Sequence, residues 1–248
     1  MMKLGWFSTG TGQGSRDLLT HFYSKIKDGL LDADISVVFS NRDPGDARES
    51  DKMFDLVRSY DLVLETLSNK NFIDSLNRFD REKYDRAVKN IISKYDIDLI
   101  VLAGYMLIVS KELFDDYKMI NLHPALPDGP KGSWRQVIEA LIREKSLVTG
   151  TMVHVISDDV DRGPCISFSE CYLEDLWDRH VELQTGENWL FEEIRQRQFA
   201  HEPILLSDTI AKIASGEVDL SSCTYESGGN IYTLPISMTL SVSRQLLG

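Results

Sequence analysis

The chemistry-bearing residues of this sequence gather in three short stretches. In the first, Asn121, Leu122, His123 and Pro124 put an amide and an imidazole two positions apart. In a strand, alternate side chains point the same way. An amide donor beside an imidazole can polarise a carbonyl and stabilise the oxyanion formed when a nucleophile adds to it. The same residues also fit a histidine satisfied by backbone at a strand end. The second stretch, residues 154–164, reads His-Val-Ile-Ser-Asp-Asp-Val-Asp-Arg-Gly-Pro, with Asp158, Asp159 and Asp161 as candidate carboxylates. Clustered acids with His123 and His154 admit a metal site. Against it, Asp158 and Asp159 are neighbours that point apart in an extended chain. A carboxylate close to an imidazole favours the charged ring, which suits a group that must protonate or stabilise an oxyanion.

The third stretch is glycine-rich, with Gly10, Gly12 and Gly14 on alternate positions. That spacing is not the G-x-G-x-x-G of dinucleotide sites, and no Gly-Lys-Ser/Thr of a phosphate loop follows. What remains is a flexible turn opening a helix, where free amides and the helix dipole can hold a phosphate with help from Ser15 and Arg16. A tight connection between strand and helix is the plainer reading.

These stretches need elements to carry them, and the pattern supplies an alternation of short apolar runs with amphipathic ones, which predicts an α/β fold with a mostly parallel central sheet flanked by helices. Strands are predicted at residues 3–8, 34–40, 61–67, 99–103, 119–122 and 150–156. Leu18, Leu19, Phe22, Tyr23 and Ile26 form one face of a first helix, which Gly29 can end. Residues 41–50 are charged and turn-rich and read as a loop. Tyr84, Ala87, Val88, Ile91, Ile92 and Tyr95 have helical spacing, as do Trp134, Val137, Ile138, Leu141 and Ile142. A long helical region at residues 187–214 is predicted to kink or break at Pro203. Residues 1–220 are expected to form the main domain, with residues 221–248 as a tail forming a hairpin or edge strand.

In open α/β sheets, ligands bind where loops leave the carboxyl ends of strands, and all three stretches sit at such ends. With 248 residues and a formal charge of −12, the chain can bury a substantial core but is ill suited to gripping nucleic acid. An anionic ligand must therefore be held locally. Cys165, Cys171 and Cys223 are too few and too scattered for a disulfide framework or a zinc site, and read as free thiols in a reducing cytoplasm. No stretch has the length of a membrane span, and the N-terminus lacks the features of a signal peptide.

The three stretches in this order resemble the phosphoribosylglycinamide formyltransferase family over residues 3–220. The resemblance is carried by Val101-Leu102-Ala103-Gly104-Tyr105-Met106, by Asn121-Leu122-His123-Pro124, and by Val153-His154 through Val160-Asp161-Arg162-Gly163-Pro164. Phe39-Ser40-Asn41 and Phe79-Asp80-Arg81-Glu82-Lys83-Tyr84-Asp85 add to it. It implies a Rossmann-like formyltransferase fold and transfer of a formyl group from the co-substrate 10-formyltetrahydrofolate to the amine of phosphoribosylglycinamide, in cytoplasmic purine biosynthesis. It further implies that Asn121 and His123 stabilise the tetrahedral intermediate, His123 as proton donor, and that Asp161 holds His123 charged and relays a proton. His154 would line the site. Gly12, Gly14, Ser15 and Arg16 would take the substrate phosphate. Arg81, Met106, Leu107, Ile108, Val109 and Asn121 would meet the folate.

No metal, nucleic acid or membrane is implied, and the protein would be a monomer or homodimer. Some residues depart from the family pattern. Arg16 stands in the phosphate loop, Leu107 replaces an arginine, and Ala200-His201 replaces a Glu-His pair, so the glutamate facing the acceptor is missing unless Glu202 substitutes. These departures keep other readings open: formyl transfer to a different amine, such as a sugar nucleotide or methionyl-tRNA, or a non-catalytic folate- or phosphate-binding protein.

Overall fold

The computed structural model describes residues 1–247. The chain divides into two compact units, one made of Met1–Asn121 and Ile156–Val160, the other of Leu122–Val155 and the chain from Asp161 onward.

The first unit runs β1 (Met2–Phe7), α1 (Gln13–Lys27), β2 (Ala33–Ser40), α2 (Arg48–Ser59), β3 (Leu64–Thr66), a 3-10 turn (Asn69–Phe72), α3 (Arg81–Ile92), β4 (Leu99–Leu102), α4 (Lys111–Phe114) and β5 (Met119–His123), whose last two residues open the second unit. The strands lie in the order β3-β2-β1-β4-β5 and every pairing is parallel. All four residues of β4 are buried, as expected of a strand covered on both faces. Phe7, Phe39 and Tyr105 cluster where three strands end, tilted or edge-on to one another, Phe7 lying 4.9 Å from Phe39 and 5.5 Å from Tyr105.

Three expectations change here. First, α1 begins at Gln13, so Gly14, Ser15 and Arg16 form its first turn and the glycine turn before it is short. Second, the loop expected through residue 50 ends earlier, because α2 occupies residues 48–59. Ser50, Met53, Phe54 and Val57 are its buried face. Charged residues fill most of the other positions and hide the period. Third, β3 is only three residues long. Asp61 is left-handed at φ 55° and Leu62 N still donates to Val57 O, so the chain is finishing α2 where the strand was expected to begin.

The second unit continues with α5 (Trp134–Glu144), β6 (Val148–Val155), β7 (Cys165–Tyr172), α6 (Glu174–Glu182), α7 (Glu187–Ala214), β8 (Val218–Asp219), β9 (Thr224–Ser227), β10 (Asn230–Thr233), β11 (Ile236–Ser237) and α8 (Thr239–Leu247). A capping box of Ser133 and Gln136 starts α5. β6 and β7 are antiparallel, β11 adds to β7 in parallel, and β8, β9 and β10 form a small antiparallel sheet. β7 and α6 lie where the sequence pattern predicts no element, and α8 lies in the tail where it predicts a hairpin or edge strand. In β7 the buried positions include Ser167 and Ser169, which are satisfied by Thr209 and His201 of α7 at 2.6 and 2.8 Å. Hydroxyls in buried positions mask a strand's alternation.

Of the kink or break expected at Pro203, the break is absent, since α7 runs unbroken from Glu187 to Ala214. The proline costs that helix one hydrogen bond. Packing of Leu190, Ile194, Leu205 and Ile210 holds its two halves in one run. Past residue 220, Asp208 of α7 anchors α8 by accepting from Gln245 Nε2 at 2.8 Å. The fold is α/β and Rossmann-like, its sheet mostly parallel and flanked by helices.

Candidate active site

β5 carries Asn121 and His123 two positions apart, so the pleat turns both to one face. Asn121 pairs with Leu102 of β4 in the first unit. His123 belongs to the second, where it meets the turn that follows β6.

His123 is 2% exposed. Its Nε2 lies 2.9 Å from the carbonyl of Pro130. A carbonyl only accepts, so this nitrogen carries a proton whether the ring is neutral or charged. Its Nδ1 faces Oδ1 of Asp161 at 3.7 Å. The other oxygen of Asp161 accepts from Gly132 N at 2.9 Å. Asp161 is left-handed, at φ 56°, a conformation that aspartate tolerates better than most residues. Gly163 lets the turn fold back: a Cβ there would fall 1.8 Å from the carbonyl of Val155. The ring is therefore held at one nitrogen and faces a carboxylate with the other.

His154 is buried on β6, 6.4 Å from the His123 ring and edge-on to it. Its Nδ1 donates to Val155 O at 3.0 Å. Burial lowers its pKa, the bond to Val155 opposing this and the neighbouring His123 adding to it. His154 is thus a neutral wall of the site. Among the described residues no group of three or more His, Cys, Asp or Glu is placed to hold a metal. The acidic turn does not converge, for Asp158 pairs with Lys111 at 2.7 Å while Asp161 turns to His123.

In the first unit, the loops after β1, β2 and β4 are tied together by Thr9. Its hydroxyl accepts from Met106 N at 2.8 Å and donates to Asn41 Oδ1 at 2.7 Å. Gly10 is left-handed against Met53, with no room for a side chain. Met106 and Ile108 are exposed, Leu107 is half-buried and Val109 is buried. Asp85 accepts from Ser110 N at 2.6 Å and so fixes the far end of that segment. Burial raises the Asp85 pKa, while bonds from Ser110 oppose it. Arg81 is exposed in the first turn of α3, next to the N-cap Asp80.

Two substrate-facing candidates are already engaged. Arg16 bonds Glu49 Oε2 at 2.9 Å and Gln13 Oε1 at 2.8 Å, so its guanidinium joins α1 to the start of α2. Glu202 is 6% exposed and both its oxygens take the guanidinium of Arg195. The three cysteines are free, and burial pushes the thiols of Cys165 and Cys171 up to about 12. The groups that sequence reasoning missed, Pro130 O and Gly132 N, are backbone atoms with no side-chain signature.

The sequence and the fold have counterparts among known proteins. Residues 3–182 match the family described as Formyl transferase. Phosphoribosylglycinamide formyltransferase of Escherichia coli is 38% identical over 90 residues, which is 35% of this chain and 41% of that protein. The trifunctional purine biosynthetic protein adenosine-3 of Homo sapiens is 35% identical over 88 residues, 35% of this chain and 8% of that protein. The matched stretch thus spans less than half the length of these relatives. Among solved structures, glycinamide ribonucleotide transformylase 1 from Symbiobacterium toebii superposes with a TM-score of 0.70 at 21% identity, over 95% of each chain. Phosphoribosylglycinamide formyltransferase from Bacillus halodurans gives 0.69 at 23% identity, over 88% of this chain and 98% of the other. These two likenesses establish the fold, and the family match, covering well over half the sequence and including His123 and Asp161, establishes the kinship. This chain belongs to the formyl transferase family.

Proposed function

We propose that the protein transfers a formyl group from 10-formyltetrahydrofolate to the amine of phosphoribosylglycinamide, as a small-molecule enzyme of purine biosynthesis in the cytoplasm. The observation that carries this reading is His123 held between Pro130 O at 2.9 Å and Asp161 at 3.7 Å. The amine nitrogen attacks the formyl carbon, and Asn121 with His123 meets the oxyanion that forms. Asp161 takes up the proton that the amine must shed, directly or through water. His123 then protonates the departing folate nitrogen. The backbone of Met106, Leu107, Ile108 and Val109, with Arg81, suits the folate. Gly12, Gly14 and Ser15 offer amides and a hydroxyl at the start of α1 for the acceptor phosphate. Nothing in this scheme calls for a metal.

One observation favours a second reading, formyl transfer to another amine. Arg16 and Glu202, the two charged residues nearest to acceptor-binding positions in the family pattern, are occupied by Glu49 and Arg195. Purified protein given 10-formyltetrahydrofolate and glycinamide ribonucleotide should release tetrahydrofolate. Silence with that acceptor and turnover with a sugar-nucleotide amine or methionyl-tRNA would replace it. Silence with every amine would leave a binding protein.

A further inference from the structure

Residues 124–132 leave β5 directly after His123 and reach the start of α5 without entering any helix or strand. They touch the site through two backbone atoms, Pro130 O on His123 and Gly132 N on Asp161. Such contacts are only as well placed as the segment that offers them. Pro124, Pro127 and Pro130 have no N–H to give, and one internal turn bond, Gly129 N to Leu126 O at 2.8 Å, spans the middle. The segment's carbonyls need donors from elsewhere.

Two side chains supply them. Arg162, next to Asp161 in the chain, donates to Gly129 O at 2.9 Å and to Pro127 O and Asp161 O at 3.3 Å each. Although the chain has 39 acidic residues, this guanidinium goes to three carbonyls. Gln198, in the middle of α7 and fully buried, donates from Nε2 to Pro124 O at 2.8 Å and to Thr149 Oγ1 at 3.0 Å. Its Oε1 is buried with no partner among the described residues. A buried amide oxygen without a donor costs stability. An apolar side chain would serve packing better there, so packing alone does not account for glutamine. Its donor accounts for it, because it fixes the residue that follows His123.

We propose that Arg162 and Gln198 are positioning residues. They clamp residues 124–132 at two points, so that Pro130 keeps a proton on His123 Nε2 and leaves Nδ1 to exchange protons on the Asp161 side. The inference rests on reading His123 as the proton-transferring group of formyl transfer. It places the control of that group in two residues that need not touch either substrate.

The test uses 15N-labelled full-length protein without substrate, in long-range 1H–15N spectra that distinguish the imidazole tautomers. Wild-type His123, when neutral, should be the Nε2–H form, and Arg162→Met and Gln198→Met should each turn it into a mixture while His154 keeps its Nδ1–H form. In parallel, kcat should fall roughly tenfold to a hundredfold in each variant with both KM values within about twofold, as for a misplaced rather than missing group. Added guanidinium should restore part of the rate to Arg162→Ala and none to Gln198→Met. A pure Nε2–H tautomer in both variants, or an unchanged kcat in both, overturns the proposal. If Arg162→Met fails to fold, Gln198→Met decides by the same readings. Wild-type protein that moves no formyl group would remove the functional reading, and the spectra would still decide the positioning.

Discussion

Asp161 stands off His123 by 3.7 Å at Nδ1, while its second oxygen accepts Gly132 N at 2.9 Å. The carboxylate is thus placed by backbone and kept just beyond direct hydrogen-bonding distance of the ring. A small closing movement would bring the two into hydrogen-bonding distance, but no heavy atom fits between them at 3.7 Å.

The first expected outcome concerns that carboxylate. Asp161→Asn keeps a residue at ease in the left-handed conformation at φ 56°, whereas Asp161→Ala would add backbone strain. The asparagine variant should therefore melt close to wild type while kcat falls on the order of 10²- to 10⁴-fold, the range for loss of a proton-transferring group. Full activity in this variant would remove Asp161 from the mechanism.

The second concerns Gly163. A methyl group there would fall 1.8 Å from Val155 O and 3.3 Å from His154 Nδ1. The turn must open to admit it, carrying Asp161 away from His123. Gly163→Ala should cost on the order of 3 kcal/mol in urea unfolding and lower kcat as well. A stable, fully active variant would mean that the turn does not hold Asp161 in place.

The third concerns acid stability in the first unit. Lys70, Ser68 and the amide of Asp43 hold the Asp46 carboxyl down at about 2, below its ordinary 3.8. A lowered folded-state pKa gives stability that is fully present above about 4 and is lost as pH falls towards 2. Asp46→Asn removes this ionisation. Over that window the urea midpoint should fall less steeply in the variant than in the wild type, and parallel curves would contradict the assignment.

Some of this was legible in the sequence, for reasons that particular residues make plain. Leu99 to Leu102 is apolar throughout, and such a run declares a strand covered on both faces. Trp134, Val137, Ile138 and Leu141 keep helical spacing, which announces α5. β7 stayed hidden because Ser167 and Ser169 fill core positions by bonding to α7, an arrangement visible only once both elements are placed. His123 and Asp161 stood out as residue types near strand ends. Their actual partners, Pro130 O and Gly132 N, belong to a segment whose path depends on Arg162 and Gln198, one beside the acidic turn and one on a distant helix. Sequence spacing carries no trace of such a convergence.

The fourth expected outcome separates structure from acceptor binding on α7. Glu202 is the nearest replacement for the glutamate that the family pattern places one residue before His201, yet it is buried against Arg195, whose guanidinium also lies 5.2 Å from the Trp134 ring and 5.0 Å from that of Phe199. Removing the carboxylate of this partly buried pair leaves a guanidinium that solvent can reach only in part, so Glu202→Leu should cost about 1–3 kcal/mol. Replacing both, as Arg195→Met with Glu202→Leu, should recover most of that loss, since an apolar pair spares both desolvation penalties. If the ion pair is structural, the double variant should keep the wild-type KM for the acceptor amine. A large rise in that KM, with stability restored, would instead give Glu202 the acceptor-facing role and make its pairing with Arg195 a resting arrangement that substrate displaces.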